Sequence, residues 1–260
     1  MKKILIVLLA VTMASSVMIA GCSNKSDDTS STSSSTSQTD SSSSEDASSE
    51  DNTSLSEDLD DNEKVDGDFV WQDDKYITNL SEEGAKKKEL VIPENCQAIF
   101  AEAYSDSKFC YNSNLESIKF ESDQITELPN KFFMNDTSLE KVELPKKLTE
   151  IPDYLFASCE ALKGVEIPST VEVIGERAFE SCLSLKELRL PESVKTVKSR
   201  VFKWMNLEKL YLPESLTSID ENFLYDMDDS AKLTVYVKKG SYADEHFDDY
   251  AQSGTTKEYY

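Results

Sequence analysis

Residues 145–191 contain the same 23-residue pattern twice, and this repetition severely restricts the possible folds. One unit starts at Pro145 and the next at Pro168, and Pro191 closes the second. Apolar residues keep the same distances from the proline in both units; in the first they are Leu148, Ile151, Leu155, Phe156, Cys159, Leu162, Val165 and Ile167. Such a match predicts a solenoid, in which each unit buries its apolar face by stacking on its neighbours.

Less regular copies extend the repeat in both directions. They start at Pro93, Ser122, Pro191 and Pro213. Asp136 and Met205 replace the cysteine of the unit in two of these copies. The copy that starts at Pro93 is six residues longer than the 23-residue pattern because of an insertion at 105–114, and the copy that starts at Pro191 is one residue shorter.

The spacing within a unit predicts its local structure. Val165 and Ile167 flank Glu166 with the period of two expected of a half-buried strand, and Pro168 helps to end the strand because it lacks an N–H group. Residues 175–182 are predicted to form a short helical or 3₁₀ segment. Stacked units then place a parallel sheet on one side of the solenoid and short turns on the other.

These residues also resemble a known family. Residues 162–182 match the phrase L-x-x-[VIL]-x-[IL]-P-x-x-[VL]-x-x-I-x-x-x-A-F-x-x-C, which is similar to the BspA-like leucine-rich repeats of bacterial surface proteins. The resemblance covers residues 90–237 and implies a right-handed leucine-rich-repeat coil, with adhesion as the usual function. Residues 235–243 resemble the closing strand and short helix that end many such domains.

Both ends of a solenoid need caps, because terminal units otherwise expose an unpaired strand edge. Residues 69–78 predict a hairpin around an acidic turn, within an N-terminal cap at 67–89. We expect Trp71 to pack in this cap, and stacking on a ligand is the alternative. A helix at 241–252 is expected within a C-terminal cap at 233–254, so the repeat domain spans residues 67–260.

Residues 1–21 have the features of a lipoprotein signal peptide. Lys2 and Lys3 precede an apolar run at 4–20, and the sequence Ile-Ala-Gly-Cys that ends at Cys22 resembles the lipobox of bacterial lipoproteins. The resemblance implies cleavage before Cys22 and a lipid on its sulfur atom. The expected location is extracytoplasmic, lipid-anchored to the bacterial membrane at the cell surface. An uncleaved membrane anchor is the alternative, since the apolar run is long enough to cross a bilayer.

A disordered tether is predicted to follow the lipidated cysteine, over residues 22–66. Residues 23–66 include 16 serines, five threonines and 13 acidic residues against two lysines, without apolar periodicity. Such a segment buries too little apolar surface to offset the loss of chain entropy on folding. A cation-binding or glycosylated stalk is the alternative.

Charge and residue content argue against several classes of function. The net charge of −23 disfavours binding to nucleic acid or to anionic lipid headgroups. His246 is the only histidine, and the sequence contains neither a C-x-x-C motif nor a glycine-rich phosphate loop. We therefore expect no enzyme, no metal site and no cofactor. Asp226, Asp228 and Asp229 lack the spacing of a calcium loop and are interpreted as a solvated cluster.

Four cysteines lie within the predicted repeats. Cys159 and Cys182 occupy the same position of successive units and are interpreted as small buried residues, with a disulfide as the alternative. Cys96 fills a core position. Cys110 lies in the insertion and is expected to be the most exposed thiol, and a disulfide to Cys96 is a further option.

The outward positions of the predicted strands form two columns of mostly charged residues. The candidate binding residues in these columns are Lys119, Lys141, Glu143, Glu166, Glu187, Arg189, Lys209 and Tyr211. One interpretation is a ladder of cross-strand ion pairs that join Lys119 to Glu143, Glu166 to Arg189 and Glu187 to Lys209. The other is a binding surface whose main contacts are Arg189 and Tyr211. Phe109 and Tyr111 in the insertion form a second candidate surface.

Two functions fit these features. The first is a lipid-anchored binding module that recognises a protein or glycan of the host matrix or of the bacterial envelope, in adhesion or cell-surface interaction. The second is a structural spacer or accessory subunit of a cell-envelope complex. We expect a monomer in either case.

Overall fold

Short strands that recur from coil to coil build most of this structure. The computed structural model describes residues 62–100, 107–227 and 232–260. The predicted signal peptide, the lipidation site at Cys22 and the tether up to residue 61 lie outside the described residues. The strands are β1 (Glu63–Asp66), β2 (Phe69–Gln72), β3 (Tyr76–Leu80), β4 (Glu89–Ile92), β5 (Ala98–Ile99), β6 (Ser117–Phe120), β7 (Lys141–Glu143), β8 (Glu150–Ile151), β9 (Gly164–Val165), β10 (Val173–Ile174), β11 (Glu187–Arg189), β12 (Thr196–Val197), β13 (Lys209–Tyr211), β14 (Ser218–Ile219), β15 (Thr234–Val237) and β16 (Thr256–Tyr259). A 3₁₀ turn lies at Gly84–Lys86, and two short helices, α1 (Tyr242–Glu245) and α2 (Phe247–Tyr250), precede β16.

The strands that show the period of two form one side of the solenoid, named here the strand face. Strands β4, β6, β7 and β9 pair in parallel, and so do β11, β13, β15 and β16. Val142, Leu188 and Leu210 point inward and are buried, while the residues beside them are at least partly exposed. The strand face is divided between β9 and β11. The predicted leucine-rich-repeat solenoid with a parallel sheet is confirmed.

A second row of parallel strands lies where the sequence predicts only turns. Strands β8, β10, β12 and β14 have two residues each and pair in parallel. Their buried or half-buried residues lie side by side along the row: Ile151, Ile174, Val197 and Ile219. A two-residue strand shows no alternation in sequence, because one inward β-branched residue per unit is also what a packed turn requires.

The third side of each coil is a series of turns rather than the short helix predicted at 175–182. The backbone N–H groups of Arg177, Phe179 and Ser181 donate to carbonyl oxygens of the following coil at 3.2, 3.1 and 2.9 Å. Arg177 and Ser181 adopt positive φ values of 51° and 57°, which bend the chain out of a helical path. The hydrogen bonds therefore join neighbouring coils, as they do on the other two sides.

Equivalent side chains of successive coils stack inside the solenoid. The phenylalanine column consists of Phe133, Phe156, Phe179, Phe202 and Phe223, with neighbouring ring centroids 5.4 to 6.2 Å apart. All five rings are buried and belong to one continuous apolar core. Gly175 permits close approach of two coils, since a β-carbon there would lie 2.6 Å from the backbone nitrogen of Asp153.

The predicted N-terminal hairpin is confirmed, and it contains one more strand than expected. β2 and β3 are antiparallel, and β3 pairs in parallel with β5 of the first coil. Trp71 is buried and lies edge-on to Phe69 at 6.1 Å, so it packs within the cap. Strand β1 pairs with β2, so the last four residues of the predicted tether, which ends at residue 66, belong to the folded part. Because β1 is held by backbone pairing and its side chains stay largely exposed, its composition gives no sign of folding.

The C-terminal cap differs from the single predicted helix. α1 and α2 are separate because His246 between them has non-helical angles (φ −103°, ψ 13°). Ser241 caps α1 by accepting a hydrogen bond on its side chain from the backbone N–H of Asp244. The chain then returns to the strand face as β16, beyond the predicted cap boundary at 254, and pairs in parallel with β15.

Candidate binding face

Only one of the two predicted contact residues of the insertion is exposed. Phe109 is 0% exposed, and its ring lies 4.4 Å from that of Phe132 beside the phenylalanine column. The prediction of Phe109 as a binding residue is therefore wrong, because the ring closes the core. Tyr111 is 53% exposed.

Cys96, Cys159 and Cys182 are free and buried, and Cys110 is buried too. The thiols of Cys159 and Cys182 donate to the carbonyl oxygens of Phe133 and Phe156 at 3.0 and 3.2 Å, which confirms them as small core residues. The expectation that Cys110 is exposed is wrong: it is 6% exposed, because the insertion folds against the core. Burial raises the pKa of the Cys110 thiol, which makes it a poor nucleophile at neutral pH.

The strand face aligns the two predicted columns as the repeat spacing requires. Lys119 lies opposite Glu143, Glu187 opposite Lys209, and Arg189 opposite Tyr211. Lys141 lies opposite Gly164. The charged side chains of both columns are exposed, and Tyr211 is half-buried.

The ion pairs on this face follow the predicted ladder only in part. Glu187 and Lys209 form the expected cross-strand pair at 3.5 Å. Lys119 instead pairs with Glu121, two residues further along the chain, at 3.0 Å. Lys141 likewise pairs with Glu143 at 2.7 Å. The hydrogen bond from Lys141 is the main cause of the lowered pKa of Glu143. A long lysine side chain reaches a carboxylate two residues along the chain as easily as one on the next strand, so register alone does not decide the pairing.

The third predicted pair, between Glu166 and Arg189, does not form. Within residues 62–100, 107–227 and 232–260, neither side chain has an ion-pair partner. Arg189 instead lies over the ring of Tyr211, with its guanidinium carbon 3.7 Å from the ring centroid. The aromatic face attracts the cation and covers one of its flat sides.

Two further tyrosines complete this arrangement, named here the tyrosine stack (Arg189, Tyr211, Tyr236 and Tyr260). The ring of Tyr211 stacks on that of Tyr236 with centroids 4.4 Å apart and planes at 10°. Tyr260 lies edge-on to Tyr211 at 5.9 Å and donates its hydroxyl hydrogen bond to the carbonyl oxygen of Leu212 at 2.9 Å. Sequence reasoning missed both residues, although Tyr236 sits between Val235 and Val237 as Tyr211 sits between two leucines.

A groove lies on the strand face beside the position where the sheet is divided. Gly164 leaves this space open, since a β-carbon there would have no neighbour within 4 Å. The groove has a volume of about 720 Å³ and is lined by charged residues on both sides, including Lys141, Glu143, Lys146 and Glu166. The glycine that interrupts the predicted column thus leaves a concavity on this face.

Comparison with known families agrees with the architecture. Residues 103–231 match the family described as the BspA type leucine rich repeat region, in six copies. The chain carries BspA-type leucine-rich repeats. A search of curated proteins finds no match to the chain.

Solved structures share the fold of these BspA-type repeats. A leucine-rich repeat protein from Bacteroides ovatus is 23% identical, with a TM-score of 0.54 over 72% of this chain and 45% of its own. The pneumococcal vaccine antigen PcpA is 15% identical, with a TM-score of 0.59 over 74% of this chain and 46% of its own. The chain thus spans less than half the length of either structure.

The turn side of the BspA-type repeats carries an exposed tryptophan that sequence reasoning missed. Trp204 is 54% exposed, and the amine of Lys203 lies 3.7 Å above its ring. Equivalent positions of the preceding coils hold Asn135, Ser158 and Ser181. A tryptophan among small polar residues is the signal that could have identified it.

The remaining expectations concern metal ligands, membrane-spanning helices and isolated titratable residues. The described part of the chain contains no group of three or more His, Cys, Asp and Glu side chains placed to hold a metal ion. None of its helices has the length and apolar character needed to cross a membrane. His246 contacts Asp249 at 2.9 Å on the surface of the cap. Asp226 lies 3.9 Å from Lys203, whereas Asp228 and Asp229 lie outside the described residues.

Proposed function

We propose that this chain is a lipid-anchored cell-surface protein that binds another protein through its strand face. Repeat scaffolds commonly use an extended face for protein interaction. The observation that carries the proposal is the juxtaposition of the Gly164 groove with an arginine and a glutamate that have no ion-pair partner among the described residues. A partner that supplies the missing charges gains more than one that meets charges already paired.

The proposal includes the anchoring inferred from the sequence. The signal peptide at 1–21 directs export, a lipid on Cys22 holds the protein at the bacterial membrane, and the acidic segment that follows acts as the tether. The partner is a protein of the host matrix or of the bacterial envelope, which makes adhesion the main role. The strongly acidic chain acts as a monomer, and the proposal gives it no enzymatic activity, no cofactor and no nucleic-acid partner.

Binding of the full-length chain to an array of purified matrix and envelope proteins and glycans tests this proposal. Gly164→Trp adds an indole to the groove through a β-carbon that meets no neighbour within 4 Å, and it is expected to abolish saturable binding. Lys195→Trp places the same ring on an exposed residue beside β12, away from the strand face, and is expected to leave binding intact. Binding that survives Gly164→Trp, or an array without saturable binding, contradicts the proposal.

Trp204 favours a second candidate, an accessory subunit of a cell-envelope complex that docks through the turn side. Exposed tryptophans are enriched among residues that dominate protein interfaces. This function predicts that one envelope protein of the producing cell co-purifies with the chain, and that Trp204→Ala releases it. Loss of that partner in Gly164→Trp instead assigns the complex to the strand face.

A further inference from the structure

The outer edge of the tyrosine stack is rich in hydrogen-bond donors. Arg189 carries five N–H groups, and Tyr211 and Tyr236 each carry a hydroxyl. Among the described residues, these three side chains have no hydrogen-bond or ion-pair partner, since their contacts are the ring contacts alone. The stack therefore presents unused donors beside one another on consecutive strands.

The rings hold these donors in place before a ligand arrives. Tyr211 is covered on one face by the guanidinium at 3.7 Å and on the other by Tyr236 at 4.4 Å. Tyr260 braces the edge and is itself fixed by its hydrogen bond to Leu212. A planar guanidinium fixed in this way loses little freedom when it binds, which favours bidentate recognition of a carboxylate.

The acidic groups nearby are already engaged. Glu187 pairs with Lys209 at 3.5 Å, and Glu214 lies 4.0 Å from Lys238. The carboxylate of Glu192 accepts a hydrogen bond from the backbone N–H of Glu214 at 3.2 Å. Arg189 thus remains a local cationic site on an acidic protein, and a ligand must reach it at short range.

The stack suits an acidic protein segment better than a sugar ring. Sugars pack against open aromatic faces, but both faces of Tyr211 are covered. Glu166, which lines the neighbouring groove, is a carboxylate without an ion-pair partner among the described residues and can receive a basic group. A polypeptide can present an acidic and a basic side chain at such spacing.

We propose that the tyrosine stack binds the carboxylate of an acidic side chain in the partner protein, through the guanidinium of Arg189 and the adjacent hydroxyl of Tyr211. This inference rests on the proposed function, because it uses the same face. It adds the chemistry of the partner: an exposed segment that carries aspartate or glutamate.

Binding of a labelled peptide in which glutamate alternates with glycine, compared with its glutamine counterpart, tests this proposal. The full-length chain is titrated at an ionic strength of about 0.15 M, where long-range repulsion between acidic molecules is screened. We expect the glutamate peptide to bind, and Arg189→Gln to weaken it about tenfold or more. Lys195→Gln removes the same charge from an exposed lysine beside β12, away from the strand face and already paired with Glu172 at 2.8 Å, and is the matched control, expected to have little effect.

The hydroxyls are tested separately from the stack. Tyr211→Phe retains the ring and removes only the donor, so we expect it to weaken binding about tenfold while Arg189 stays in place. Tyr236→Phe, on the far side of Tyr211 from Arg189, is expected to have little effect. Equal weakening by Arg189→Gln and Lys195→Gln, or no preference for glutamate over glutamine, overturns the proposal. So does Arg189-dependent binding of a sialylated oligosaccharide or of inorganic sulfate in the absence of peptide binding.

Failure of this inference is distinguishable from failure of the proposed function. If the array partner is lost in Gly164→Trp but retained in Arg189→Gln, the strand face binds protein and the carboxylate site is wrong. If the partner is retained in both variants, the strand face is not the binding surface and both proposals fall.

Discussion

At the scale of single residues, Gly164 and Gly175 lie in adjacent repeat units but differ in the space around them. A β-carbon at Gly175 would lie 2.6 Å from backbone atoms of Pro152 and Asp153, whereas one at Gly164 would meet nothing within 4 Å. We expect Gly175→Ala to lower the free energy of unfolding by about 3 kcal/mol, since two coils must move apart. Gly164→Ala is expected to leave it unchanged or raise it by up to about 1 kcal/mol. Urea unfolding followed by circular dichroism measures both, and equal losses contradict the close approach of the coils.

Asp136 occupies the position that cysteine holds in the two most regular units, and it is 0% exposed. One carboxylate oxygen accepts a hydrogen bond from the backbone N–H of Asn112 at 2.8 Å, and the other has no partner. Burial raises the pKa of this carboxyl group well above its usual value. The folded protein therefore favours the protonated acid.

This burial predicts how stability depends on pH. Because the pKa of Asp136 is raised in the folded state, the stability linked to its protonation is fully present below the pKa that an aspartate has in the unfolded chain, about 4. That stability is lost as the pH rises toward the pKa of the folded state. We expect the free energy of unfolding to fall by up to about 1.4 kcal/mol per pH unit in that window. Asp136→Asn removes this slope, whereas Asp123→Asn, an exposed control, retains it. Urea unfolding between pH 4 and neutrality decides the matter, and identical slopes in wild type and Asp136→Asn show that the carboxyl group is not buried as described.

At the scale of elements, β16 shields the edge of the strand face. It pairs with β15, and the backbone N–H of Thr256 donates to Leu233 at 2.9 Å. Deletion of residues 255–260 removes these hydrogen bonds, and we expect a loss of about 2 to 4 kcal/mol of stability. It also leaves β15 as an open edge, so the truncated chain is expected to self-associate. Thermal unfolding and sedimentation velocity measure the two effects. A truncated chain that remains monomeric and equally stable contradicts this role of β16.

The elements also show which parts of the fold the sequence could predict. The strand face and the core followed from residues such as Val165 and Phe179, because burial at each stacked position imposes an apolar residue in every unit. The second row of strands was missed because only Ile174 or its equivalent marks it in each coil. β16 was missed because none of its residues is buried; backbone pairing holds it, together with polar contacts such as the one from Lys257 to Asp244 at 2.7 Å. Sequence patterns report burial, and an element whose residues are not buried leaves no such pattern.

The candidate site divides in the same way. The repeat spacing placed Arg189 beside Tyr211, because register follows directly from the repeat. The spacing could not predict whether Arg189 forms an ion pair with Glu166 or contacts the ring of Tyr211, because that depends on side-chain conformation. Tyr260 could not be assigned to the stack without β16, and Phe109 could not be recognised as buried, because an insertion has no counterpart in the other units.

At the scale of the whole molecule, stability comes from contacts between neighbouring coils. The apolar core is one continuous cluster, yet each coil packs mainly on the coil before and the coil after it. In such an array, stability approximates the sum of the interfaces between neighbouring units. A weakened coil therefore affects its neighbours most, and its position along the solenoid decides how much of the molecule loses protection.

Phe179 and Phe223 offer a matched test of this view, because both rings are buried in the phenylalanine column, one near its centre and one at its end. Either change to alanine removes a ring worth about 3 to 5 kcal/mol. We expect Phe179→Ala to accelerate hydrogen exchange on both sides of the central coil, in β8 and β12 alike, since it breaks the column between two halves. Phe223→Ala is expected to accelerate exchange in β14 and β15 while β6 and β7 keep the protection of the wild type. If both variants lose protection uniformly from β6 to β15, the solenoid opens only as a whole and the coils do not act as separate stabilising units.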